Sequence, residues 1–168
     1  MNNIVLIGMP GAGKSTIGVI LAKVLGYEFI DSDLLIQAQE KSLLKDIIKD
    51  NGLEGFIGIE NQINSEIQTQ KTVIATGGSV IYGKEAMGHL RDIGTIVYIH
   101  LSLDILKNRL GNMKQRGVAL KDGQTLKSLY AERCPLYEKH ADIIVDGDGK
   151  TVEEVLSSVV HAITPFLN

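Results

Sequence analysis

The chain has no tryptophan, one cysteine, three prolines and only 5% aromatic residues in 168 positions. A lone Cys134 excludes an internal disulfide and suits a reducing, cytoplasmic setting; beside Pro135 it reads as a packing residue. Excess positive charge is missing as well. The net charge of -3 argues against a general nucleic-acid binder while leaving room for a local basic pocket. The opening MNNIVLIG has no basic n-region, and its apolar run is broken by glycine and proline, so neither a signal peptide nor a membrane span is expected. None of the four histidines lies at metal-ligand spacing. No repeat, low-complexity tract or linker interrupts the chain. With 44% apolar and 22% charged residues it reads as one globular domain over residues 1–168, with a full core and expected to act as a monomer.

What is present is organised around Gly8-Met9-Pro10-Gly11-Ala12-Gly13-Lys14-Ser15-Thr16, a G-x-x-x-x-G-K-[ST] stretch with every fixed position filled. Glycines let the backbone curl so that successive N–H groups point at phosphate oxygens. The following helix adds its free N–H groups and the positive end of its dipole. Residues Gly11 to Thr16 are therefore expected to hold the phosphates of ATP, with Lys14 reaching the β- and γ-phosphates and Ser15 on Mg²⁺.

The context agrees. Ile4-Val5-Leu6-Ile7 is a continuous apolar run, which predicts a parallel strand buried on both faces. Ile17, Ile20, Leu21, Val24 and Leu25 follow at helical spacing, and Gly26 stops that helix. Further strands are predicted at residues 27–30, 72–76, 95–101 and 143–145. Between them lie helices starting at Ser32 as cap, around residues 43–48 with a stop at Asn51-Gly52, along Phe56, Ile59, Ile63 and Ile67, over 84–91, from Ser102 to Leu110, over 124–139 with a kink or break at Pro135, and from Thr151 onward. Gly111 to Gly123 reads as a mobile polar loop without apolar anchors. Alternating strands and helices predict an α/β fold with a parallel sheet and helices on both faces, and ligands at the carboxyl ends of its strands.

Three segments reach that edge: the phosphate loop, Asp31-Ser32-Asp33, and Gly77-Gly78-Ser79. Asp31 and Asp33 admit two readings. One carboxylate holds the metal and the other receives or orients an attacking hydroxyl, or both merely cap a helix. Arg109, Lys114 and Arg116 bracket the polar loop. They either close over the γ-phosphate or form a solvated basic stretch. Arg133 either clamps a substrate carboxylate or pairs with Glu132 or Glu138.

Taken together, the chain resembles the shikimate kinases from Gly8 to about Val145. The phosphate loop, Asp31-Ser32-Asp33 in the D-x-D place, Ala75-Thr76-Gly77-Gly78, Arg116 as the lid arginine, and Glu132-Arg133-x-Pro135-Leu136-Tyr137 carry the resemblance. It implies a five-stranded sheet of order 2-3-1-4-5, residues 33–67 as the substrate-binding portion and a lid around 111–123. It also implies Asp33 and Arg133 at the substrate, Lys14 and Arg116 on the transferring phosphoryl, and Arg109 against adenine; Asp31 is expected on the metal with Ser15, and Gly77, Gly78 and Ser79 are expected at the substrate.

The departures lie in the acceptor half. Where the family has F-R-x-x-E, this chain has Phe56-Ile57-Gly58-Ile59-Glu60; Ser79 replaces the third glycine of G-G-G, and Arg116-Gly117 replaces arginine-proline. The expected activity is transfer of the γ-phosphoryl of ATP to a hydroxyl of a small hydroxy acid, shikimate first among candidates. Another hydroxylated acceptor and an inactive ATP binder stand as alternatives. A nucleotide switch has little support, since no N-K-x-D guanine-reading motif is present.

Overall fold

The computed structural model describes residues 2–111 and 117–167. Its elements are β1 Asn3–Ile7, α1 Lys14–Leu25, β2 Glu28–Asp31, α2 Ser32–Glu40, α3 Leu44–Ser65, β3 Thr72–Ala75, α4 Lys84–Ile93, β4 Gly94–His100, α5 Leu103–Arg109, α6 Leu126–His140, β5 Ile143–Asp146 and α7 Val152–Ile163. The strands form one parallel sheet in the order β2-β3-β1-β4-β5. In register, Leu6 of β1 lies between Ala75 of β3 and Val97 of β4.

Alternation along β1 explains the layers. Val5 and Ile7 face one way, into a cluster with Met87 and Leu90 of α4 and Leu129 and Tyr137 of α6. Ile4 and Leu6 face the other way, against Ile17 and Leu21 of α1 and Val155 and Val159 of α7. Both faces of the sheet are thus covered, as a continuous apolar strand requires. A third cluster of Ile36, Leu44, Ile47, Phe56, Ile63 and Ala119 holds α2 and α3 together beside the sheet.

The sheet order places the carboxyl ends of β2, β3 and β1 side by side. Asp31, the segment Thr76 to Ser79, and the phosphate loop therefore emerge as neighbours. Thr76 Oγ1 donates to the Leu6 carbonyl at 2.8 Å and fixes two of these ends to each other.

Several local expectations change. The cap of α2 is Asp31, as the capping reading of the aspartates had it, and not Ser32: its Oδ1 accepts from the Asp33 and Leu34 N–H groups at 2.9 and 3.3 Å, while Ser32 is buried within the helix. A carboxylate at the N-cap takes two free N–H groups that the hydroxyl one residue later cannot reach. The expected stop at Asn51-Gly52 is present within α3: Gly52, at φ 73° and ψ 175°, breaks the span Leu44–Ser65 into two helices. Ile67 lies beyond its end yet is buried. Helix α6 runs through Pro135 without ending, because the buried Leu129, Arg133 and Tyr137 anchor it on both sides of the proline. The stretch after residue 116 does carry apolar anchors: Val118 and Ala119 are both buried, against the first and third clusters.

Candidate active site

The phosphate loop joins β1 to α1. Gly11 and Gly13 adopt φ of 81° and 91°, which a side-chain-bearing residue rarely takes, and this curls the backbone ahead of Lys14. Lys14 is buried, and its Nζ donates to the Gly8 and Met9 carbonyls at 2.7 and 2.8 Å. Burial pushes its pKa down to about 8; Asp33 and Asp31 pull against that shift and Arg133 adds to it.

Ser15 Oγ donates to Asp31 Oδ2 at 2.8 Å. Asp31 thus does two things, capping α2 with one oxygen and meeting Ser15 with the other. A hydroxyl and a carboxylate beside a phosphate loop are the hard oxygen donors that Mg²⁺ takes, along with water and phosphate oxygens. No group of three or more His, Cys, Asp or Glu side chains placed for a metal occurs among the described residues.

A crevice of about 360 Å³ opens from the loop toward α3 and α6, a size common for small-molecule sites. Lys14, Asp33, Glu60, Gly77, Gly78, Ser79 and Arg133 line it, with Gly11, Gly13, Ser15 and Thr16 at the phosphate end. Asp33, in the first turn of α2, has its pKa raised to about 6 by burial first and by the Asp31 charge second. A β-carbon at Gly77 would meet Asp33 Oδ1 at 2.6 Å and Glu60 Oε2 at 2.7 Å. Only a glycine leaves room there for two carboxyl groups.

Arg133 is the largest side chain buried almost completely, at 1% exposure. Among the described residues Arg133 forms no ion pair with Glu132 or Glu138. Glu132 is engaged by the Tyr82 hydroxyl at 2.6 Å, by Gln124 at 2.9 Å and by Lys121 at 3.6 Å, not by Arg133. Arg133 instead donates from Nη2 to the Ala119 carbonyl at 2.8 Å and lies 5.5 Å over the Tyr82 ring, while its Nε has no hydrogen-bond partner. A buried guanidinium held by a carbonyl and an aromatic face, with donor capacity left over, is ready for an anionic ligand.

Arg109 ends α5 and its Nη1 donates to the Gly11 carbonyl at 3.3 Å. It also lines a smaller crevice of about 170 Å³ with Ala12, Thr16, Lys150 and Val152, on the far side of the loop from Asp33. Lys114 and Arg116 lie outside the described residues.

Ile57 departs from expectation. It is half-buried and faces an adjoining crevice of about 250 Å³ with Tyr82, Glu132, Arg133 and Ala119, not the crevice that holds Lys14. The two crevices share Arg133 and Ala119.

Two residues were missing from the sequence-derived site. Tyr137 donates from its hydroxyl to the Gly78 carbonyl at 2.6 Å and so supports the glycine strand end from α6. Glu60 is 1% exposed, its Oε1 accepts from Ser79 Oγ at 2.6 Å, and its Oε2 has no partner. Burial raises its pKa to about 7; Ser79 opposes the shift, Asp33 adds to it, and Arg133 and Lys14 oppose it.

The Shikimate kinase family model matches residues 10–164. A shikimate kinase of Rippkaea orientalis is 38% identical over 164 residues, 96% of this chain and 87% of that protein. The solved shikimate kinase from Acinetobacter baumannii in complex with shikimate superposes with a TM-score of 0.90 at 28% identity, covering 99% of this chain and 94% of the other. The one from Aquifex aeolicus gives 0.80 at 30% identity, with 96% and 95% covered. With family model, relatives and architecture in agreement over nearly the whole length, the chain belongs to the shikimate kinase family.

Proposed function

We propose that this protein transfers the γ-phosphoryl group of ATP to a hydroxyl of shikimate, giving shikimate 3-phosphate and ADP, and that it does so as a cytoplasmic monomer. The observation that carries the reading is the convergence of Lys14, Asp33 and the buried Arg133 on one crevice. These are a cation for phosphate, a carboxylate for a hydroxyl and a guanidinium for a carboxylate.

In this reading Gly11 to Thr16 hold the phosphates, and Arg109 stands at the smaller crevice where the base would lie. Ser15 and Asp31 would hold Mg²⁺, which when bound offsets phosphate charge. The acceptor carboxylate rests on Arg133, with Gly77 and Gly78 as the floor. Its hydroxyl donates to Asp33. As the hydroxyl oxygen bonds to the γ-phosphorus, the bond to the β,γ-bridging oxygen breaks, its electron pair leaves with ADP, and the proton passes to the Asp33 carboxylate. With a pKa of about 6, Asp33 is mostly ionised at neutral pH and close enough to it to accept that proton. Lys14 and the loop N–H groups offset the charge on the transferring group. The test is ADP release from ATP and Mg²⁺ with and without shikimate. Release that depends on shikimate is expected; equal release in both, or none, would overturn the proposal.

The position of Ile57 sets the size of a further expected effect. An added hydrogen bond to a charged group contributes roughly 1.5–3 kcal/mol, or about 10- to 100-fold in binding. An arginine at 57 would have to reach past Arg133 from the adjoining crevice, so Ile57→Arg should sit at the lower end. The KM for shikimate should fall about tenfold at most, with the KM for ATP unchanged. No fall in a folded variant would show that position 57 serves only the adjoining crevice.

A further inference from the structure

Glu60 is an unusual residue to find where it is. It lies on the buried stripe of α3 with Phe56 and Ile63, where an apolar side chain would be expected. One of its oxygens is held by Ser79 and the other, against Gly77, has no partner in the protein. A buried acceptor left open is costly unless a ligand supplies the donor. Asp33 Oδ1 lies against the same point at Gly77. Two carboxyl oxygens from different helices therefore border one corner of the acceptor crevice.

Ser79 itself is 4% exposed, and its hydroxyl is already committed to Glu60. We propose that Ser79 is a positioning residue: it holds Glu60 Oε1 so that Oε2 stands beside Asp33 as a second acceptor for substrate hydroxyls, which selects a polyhydroxylated acid over one with a single hydroxyl. This rests on the reading of the crevice as the shikimate site.

The charged groups that face Glu60 are Lys14 from α1, Asp33 from α2 and Arg133 from α6, with Ser79 after β3. Without an arginine at position 57, the serine hydroxyl supplies the direct hydrogen bond that steadies the carboxylate. The ionised form is the one that accepts a substrate hydroxyl. Glu60 gains that form as pH rises through about 7, so the KM for shikimate should fall over that range. Removing the Ser79 hydroxyl removes an influence that lowers the Glu60 pKa, so in Ser79→Ala the fall should move to higher pH.

The experiment measures the KM for shikimate against pH in wild type, Ser79→Ala, Glu60→Gln and the double variant, with Ser79→Gly as a second removal of the hydroxyl. The neutral-pH KM should rise about 3- to 10-fold in Ser79→Ala, with the KM for ATP unchanged. Glu60→Gln should flatten the pH dependence around 7, and adding Ser79→Ala to it should do nothing more. A KM that rises equally at every pH, or a serine effect that persists fully in the Glu60→Gln background, would overturn the proposal. The same holds if neither serine variant changes KM. Absence of shikimate-dependent turnover in the wild type would instead remove the reading of the function itself, and this inference with it.

Discussion

Lys14→Ala should lower turnover by about 10²–10³-fold, the usual cost of removing one group that stabilises charge in a transition state. The side chain is buried, and its nitrogen sits at the mouth of the phosphate loop against two carbonyls of that loop. Among the described residues, two other cations of the site are engaged elsewhere: Arg133 by Ala119 and Tyr82, and Arg109 by Gly11. The wild type carries a matching signature in pH. With a pKa of about 8 in the free protein, Lys14 is charged at neutral pH and loses its proton as pH rises through 8. kcat/KM should therefore fall on the alkaline side. Bound phosphates favour the charged form, so the corresponding fall in kcat should lie at higher pH. Steady-state ADP release across pH measures both. An alanine variant within a few-fold of wild type would end the assignment of this loop as the centre of the chemistry.

The second large effect is expected from Asp33→Asn, which keeps the shape of the side chain and removes its basicity. General-base contributions commonly amount to about 10²–10⁴-fold, and kcat should drop by that order while ATP still binds. Stability provides the control. The folded-state pKa of Asp33 is raised to about 6 from 3.8, so the ionised carboxylate costs stability above about pH 6 and nothing below 3.8. The asparagine variant should therefore melt no lower than wild type at pH 8, separating loss of chemistry from loss of fold. Calorimetric titration with ATP and Mg²⁺ completes the test. If ATP binding disappears, the roles of Asp31 and Asp33 are exchanged.

Much of this site was legible in the chain itself, for local reasons. The phosphate loop is contiguous, and its spacing follows directly from phosphate geometry. β1 reads correctly because an apolar run without alternation has few other uses in a small α/β domain. Asp31 and Asp33 were found by their place at a strand end, although the capping role went to the neighbouring serine by one residue. Glu60 was hidden by helical phase. The stripe Phe56, Ile59, Ile63 and Ile67 is offset from the one actually buried, which carries Phe56, Glu60, Ile63 and Asn64. A glutamate four residues after Phe56 and three before Ile63 was the available signal. Tyr137 reads from the sequence as a core residue, and it is buried, but its partner could not be found because it is the carbonyl of Gly78, 59 positions earlier. A separation of 14 positions likewise hid the relation between Arg133 and Ala119.

The Tyr137–Gly78 hydrogen bond also bears on how the molecule comes into being. The phosphate loop belongs to the first strand and first helix of the chain, and β1 to β4 are complete by His100. Arg133 and Tyr137 arrive later, on α6. Folding during synthesis proceeds from the amino end. A nascent chain therefore carries its phosphate loop well before it carries the anchor for an acceptor carboxylate. A chain interrupted before α6 would have the phosphate loop, but neither Arg133 nor the Lys150 and Val152 that line the smaller crevice. On the proposed reading, the phosphate loop is thus early, while the places for the acid and for the base both wait for later parts of the chain.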